Sequence, residues 1–77
     1  MSDLLQKVFA SVLDVPMESL NEETSPDNTE QWDSLAAMHL VSAIEDAFTV
    51  SLGTRDIMRM TSIGIARDVL RAKGVDV

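Results

Sequence analysis

The stretch Gln31-Trp32-Asp33-Ser34-Leu35-Ala36-Ala37-Met38-His39-Leu40-Val41-Ser42-Ala43-Ile44-Glu45-Asp46-Ala47-Phe48 decides how the chain folds. A polar, proline-containing segment ends at Trp32, and from Asp33 the pattern becomes that of an amphipathic helix. Ala37, Leu40, Val41, Ile44 and Phe48 fall at i, i+3, i+4, i+7 and i+11, which stacks them on one face of a helix with 3.6 residues per turn. Asp33 is the natural N-cap. Its carboxylate accepts from free N–H groups of the first turn, and its charge suits the positive end of the helix dipole. Ser34 then takes the first helical position, with its hydroxyl pointing out of a surface loop, and the helix is predicted to run from about Ser34 to Phe48.

Upstream, Leu5, Val8, Phe9 and Val12 repeat at i, i+3, i+4 and i+7 and predict a first amphipathic helix from about Asp3 to Leu13, which Pro16 forbids to continue. Residues 14–32 are polar and acidic, broken by Pro16 and Pro26, and read as a long connection. Nineteen structureless residues are unusual in a compact domain, so Val15, Met17, Leu20 and Trp32 are expected to pin it. Downstream, residues 49–53 connect to a short helical turn at most over residues 54–60. Thr61 or Ser62 then caps a last helix with Ile63, Ala66, Val69 and Leu70 on one stripe. Arg67, Arg71 and Lys73 sit in its second half, where the dipole favours cations, and Gly74 suits a left-handed end. Nothing reads as a strand. The expected fold is all-α, a small bundle of three main helices and one short one, in which each apolar stripe is buried against the others.

Seventy-seven residues make a single domain, residues 1–77, that buries roughly 60% of its unfolded surface and has no room for both a core and an enclosed active site. No apolar run approaches the length of a membrane span, and the N-terminal residues lack the basic flank of a secretory signal, so the expected location is cytoplasmic. Thirteen acids against six bases give a net charge of −7, which disfavours nucleic acid and anionic membrane as partners. The charge is unevenly placed: residues 1–48 carry ten acids and one base, residues 49–77 three acids and five bases. Such an acidic front attracts basic surfaces and repels itself in the folded state. There is no cysteine, which excludes disulfides and thiolate metal sites, and any thiol found on the chain must have been added to it.

Asp33-Ser34-Leu35, followed by Leu40-Val41, Ala43-Ile44-Glu45 and Phe48, resembles the second helix of acyl carrier proteins, in which the serine of an Asp-Ser-Leu triplet carries phosphopantetheine. The helical bundle and the long first loop are similar to those of the same family. The resemblance implies covalent 4′-phosphopantetheine on Ser34. A separate phosphopantetheinyl transferase would supply base and metal while Ser34 Oγ attacks the phosphorus of coenzyme A. The thiol of the attached arm would hold an acyl or aminoacyl group as a thioester, carried between loading and transferring enzymes with basic surfaces. The chain is then a specialised stand-alone carrier and not an enzyme, a monomer with Asp33, Leu35, Met38, His39 and Ser42 as the residues that partners read. Typical fatty-acid carriers show acidic residues soon after the serine, where this chain has Ala36 and His39, and a larger apolar residue at the place of Ser42. Assignment to the housekeeping fatty acid synthase therefore does not follow. The cargo stays open among fatty acyl, polyketide, amino acid and specialised starter units.

Other readings compete for the same residues. A serine in the first turn of a helix is commonly there only to satisfy free N–H groups, and an unmodified acidic module that binds basic or amphipathic helices is the alternative to a carrier. A hydrolase built on Ser34 lacks a base and an oxyanion site. His39, the only histidine, lies five residues on, about 500° of helical rotation, so it faces roughly 140° away from Ser34. Met38, Met58 and Met60 are core filler or the lining of a pliable groove, with Met38 and Ile57 as candidate lining for an acyl chain sheltered between the second and third helices. Asp27-Asn28-Thr29-Glu30 with Asp33 lacks the spacing, the central glycine and the terminal glutamate of an EF-hand, so no metal site is expected there. Glu45 and Asp46 oppose the dipole at a helix C-terminus, either for a partner or as solvated acids.

Overall fold

The computed structural model describes residues 3–77 and contains four α-helices. They are α1 (Leu4–Leu13), α2 (Ser34–Phe48), α3 (Thr54–Arg59) and α4 (Ile63–Ala72), with a single 3-10 turn, Met17–Ser19, in the long connection. Among the described residues there is no strand, and no helix is long and apolar enough to cross a membrane. The bundle is the all-α fold that periodicity and caps predict.

Each helix starts where its cap dictates. Asp3 caps α1 by accepting the Gln6 N–H at 3.1 Å, and Ser62, rather than Thr61, caps α4 by accepting from Ile65. The apolar stripes become one core. Leu5, Phe9 and Leu13 of α1, Leu40 and Ile44 of α2, and Ile63, Ala66, Val69 and Leu70 of α4 are all buried together. Val8, Val12, Ala37, Val41 and Phe48 pack at its margin. The Phe9 ring tilts against Trp32 with centroids 5.1 Å apart, so the last residue of the long connection but for the α2 cap is locked to α1.

The ends are equally specific. Gly74, at φ +88°, donates to the Arg71 carbonyl while Val75 donates to Leu70, both at 3.0 Å, which is the Schellman closure that a glycine permits. α2 instead ends on Thr49 at φ +51°, a conformation that a β-branched residue adopts at a cost. Two bonds hold it there: Val50 N–H to the Glu45 carbonyl at 3.2 Å, and Leu52 N–H to the Glu45 carboxylate at 2.8 Å. Glu45 is thus not a merely solvated acid. It ties down the turn that leads to α3.

The long connection is pinned as expected at Leu20 and Trp32, with Val15 and Met17 half-buried. A further anchor is polar. Thr24 is 5% exposed, its hydroxyl accepts from Asn21 N–H, and its carbonyl accepts from Ile63 N–H at 3.0 Å. Glu22 adds a carbonyl that accepts from Gly64 N–H at 2.9 Å, an approach so close that a Cβ on Gly64 would stand 3.0 Å from that oxygen. Arg67 closes the junction by bonding the carboxylates of Glu22 at 2.8 Å and Asp3 at 2.7 Å.

Candidate functional site at the start of the second helix

Asp33 has extended backbone, φ −104° and ψ −171°, and its Oδ1 accepts the Ala36 N–H at 2.9 Å. Its carbonyl takes the Ala37 N–H, also at 2.9 Å. That leaves two donors of the first turn. Among the described residues the amides of Ser34 and Leu35 meet no protein acceptor, and both residues are exposed. Pro26, Trp32, Asp33, Ser34 and Ala37 line an open hollow around this helix start. The buried Trp32 indole and the α2 cap hold the serine in place, while nothing covers it.

The expected partner-reading residues fall together. Leu35, Met38, His39 and Ser42 stand at i, i+3, i+4 and i+7 and are all exposed, with Leu35 at 62% and Met38 at 69%. They make a continuous outer stripe on α2 that begins beside Ser34. Among the described residues neither His39 nor any other side chain is hydrogen-bonded to the Ser34 hydroxyl.

Met38 does not line an interhelical groove, contrary to expectation. It lies 100° around the helix from Ala37 and so turns outward, off the i, i+3, i+4 stripe that reaches the core. The crevice between α2 and α3 is lined by Trp32, Ala37, Leu40, Val41, Ile57 and Met60 and encloses about 30 Å³, room for a water or two. Ile57 does line it. Of the three methionines only Met60 is buried, Met58 being 75% exposed. The α2–α3 crevice is closed against an acyl chain unless α3 shifts.

The bonded acids have perturbed ionisation. Burial pushes the Asp3 carboxyl up, but bonds from Arg67 and the Gln6 N–H outweigh it and hold the group below the usual carboxylate range. Bonds from Lys73 and the Gly53 N–H do the same for Asp56. Glu22 and Asp3 together raise Arg67 further above its ordinary value, so it stays charged. All three lie away from Ser34, in contacts that hold the bundle.

A family model for the phosphopantetheine attachment site matches residues 3–64. The chain belongs to the acyl carrier protein family. The holo acyl carrier protein of Geobacter metallireducens, solved by NMR in solution, resembles this carrier with a TM-score of 0.81 and 27% identity, over 92% of this chain and 82% of that one. No curated protein matches the sequence. Family and fold make the molecule a phosphopantetheine carrier with the prosthetic group covalently attached. They favour the carrier over the unmodified interaction module. The helix start fits the group: an exposed hydroxyl, two amides free to face a phosphate, and the positive end of a dipole.

Proposed function

We propose that Ser34 is the attachment point and that residues 1–77 act as one carrier domain, ferrying acyl or aminoacyl thioesters between enzymes. The observation that carries this is the exposed Ser34 hydroxyl at the first position of α2, beside the Asp33 cap and the two free amides. Ser34 Oγ needs no activating neighbour in this role, because the transferase brings base and metal. When bound, the arm supplies the thiol that forms the thioester.

The chain's own residues do three things for that chemistry. Asp33 fixes the helix start so that Oγ projects from it. The Ser34 and Leu35 amides and the α2 dipole offset the charge of the attached phosphodiester, which would make this a phosphoprotein. The α2 stripe of Leu35, Met38, His39 and Ser42 gives partners a surface within reach of the arm. The acidic connection, with Glu18, Glu23, Asp27 and Glu30 exposed, steers partners whose approaching surface is basic. The charge and the absence of an apolar span support a monomeric carrier at work in the cytoplasm, with no nucleic acid among its partners.

The test uses the lack of cysteine. Incubation with coenzyme A and a broad-specificity phosphopantetheinyl transferase should add one arm and one titratable thiol per chain, seen by intact mass and thiol assay. Ser34→Ala should abolish both with the helical spectrum unchanged. Modification of Ser34→Ala at the same rate as the parent would overturn the assignment.

A further inference from the structure

Beyond the Asp33 cap, the surface of α2 that follows Ser34 is not acidic, although the chain as a whole is. From Ser34 to Ile44 there is no charged residue at neutral histidine. Across the α2–α3 crevice, Ile57 forms the inner wall against Ala37 and Val41. Met38 on the outer side of α2 and Met58, which follows Ile57 on α3, are each more than two-thirds exposed. Arg55, Met58 and Arg59 occupy i, i+3 and i+4 of α3 and share one exposed face. Neither arginine makes an ion pair among the described residues, and the one acid of α3, Asp56, is bonded to Lys73 at 2.8 Å. The acids of the connection that make no ion pair among the described residues, Asp14, Glu18, Glu23, Asp27 and Glu30, all precede α2. The molecule is thus divided into an acidic approach and an apolar, arginine-edged face.

We propose that the α2–α3 face receives a partner segment that is apolar at its centre and acidic at its edge, with Leu35, Met38 and Met58 covered and Arg55 and Arg59 met by carboxylates. Two exposed large methionines are adaptable apolar contacts, and two unpaired arginines are suited to bidentate pairing with acids. A basic edge would lose those pairs and meet like charge. The purpose of the face rests on the carrier reading, since a partner seated there reaches the arm. Its geometry does not.

The experiment uses two synthetic helical peptides with the same Leu and Met face, one edged with Glu and one with Lys, titrated into the 15N-labelled chain. The Glu-edged peptide should shift the amide signals of Leu35, Met38, Ile57, Met58 and Arg59, and the Lys-edged peptide those of residues 18–30. Arg55→Glu with Arg59→Glu should weaken the Glu-edged peptide roughly tenfold and transfer the Lys-edged peptide to α2 and α3. Both residues are exposed, and an unchanged helical melt verifies the fold of the variant. The inference is overturned if the Lys-edged peptide maps to the α2–α3 face of the parent chain, if no peptide binds that face, or if the double variant leaves the affinity unaltered. Modification of Ser34 is read separately by mass, so a failure here and a failure of the carrier assignment are told apart.

Discussion

Two helix starts in this molecule are built alike and finished differently. At α4, the Ser62 hydroxyl accepts from Ile65 N–H, and at α2 the Asp33 carboxylate accepts from Ala36 N–H. The remaining amides of the α4 start are taken by the chain itself: Ile63 donates to Thr24 O and Gly64 to Glu22 O. Those of the α2 start, on Ser34 and Leu35, are left to solvent. The first is closed by the chain's own loop and holds the bundle together. The second is open, and an open helix start is where an anionic group fits. The molecule places stabilising contacts at one helix start and an exposed serine at the other.

The widest break in that comparison comes from filling the closed start. Gly64→Val puts a branched side chain where a Cβ already stands 3.0 Å from the Glu22 carbonyl, so the connection must lift off α4. The expected cost is about 1–3 kcal/mol, read as a drop of several degrees in melting temperature, with Ser34 still modified. Stability equal to the parent would mean that the Glu22–Gly64 contact does not hold the junction.

Next come the two caps, each expected to cost about 1 kcal/mol when replaced by alanine. Ser62→Ala should lower the melting temperature without slowing attachment at Ser34. Asp33→Ala should lower it by a similar amount and slow attachment as well, because the start that it loosens is the one that presents Oγ. Equal attachment rates in both variants would remove the functional distinction between the two starts.

Much of this was legible in sequence, for a physical reason. α2 and α4 lie where apolar spacing and a capping side chain agree, and α1 differs from its predicted span only in that Asp3 is the cap rather than the first helical residue. These signals are local. What the sequence does not display is contact between distant backbone groups. Thr24 looks like one more polar loop residue, yet it is buried because its carbonyl serves α4. Gly64 looks like a weak point in a helix until the Glu22 carbonyl is seen against it. For Met38 chemistry and spacing disagree: methionine suits a groove, but the residue after Ala37 faces outward, and it is 69% exposed.

Acid should weaken two contacts, the Asp3–Arg67 pair at the closed start of α4 and the Asp56–Lys73 pair between α3 and the end of α4. Asp3 and Asp56 have folded-state ionisation below the usual range, so their contribution is fully present above the ordinary carboxylate value of about 4 and is lost as pH falls through the folded values. Melting temperature should therefore decline on acidification below about pH 4, and Arg67→Met should flatten the part that Asp3 supplies. A parent and an Arg67→Met variant with identical acid limbs would contradict the role given to that junction.

Salt has the smallest effect expected. Asp3 and Glu22 are paired with Arg67 and lose something to screening, whereas the exposed acids of the connection gain relief from mutual repulsion. With a net charge of −7 the second effect should prevail, raising the melting temperature between about 50 and about 500 mM salt at neutral pH. A fall over that range would place the ion pairs above the repulsion.

The most direct measurement is to locate the arm on the parent chain. Eight serines are available to a transferase, at positions 2, 11, 19, 25, 34, 42, 51 and 62. Peptide mapping by tandem mass spectrometry after enzymatic modification should find the phosphopantetheine on Ser34 alone. An arm on any of the other seven, with Ser34 bare, would contradict the account.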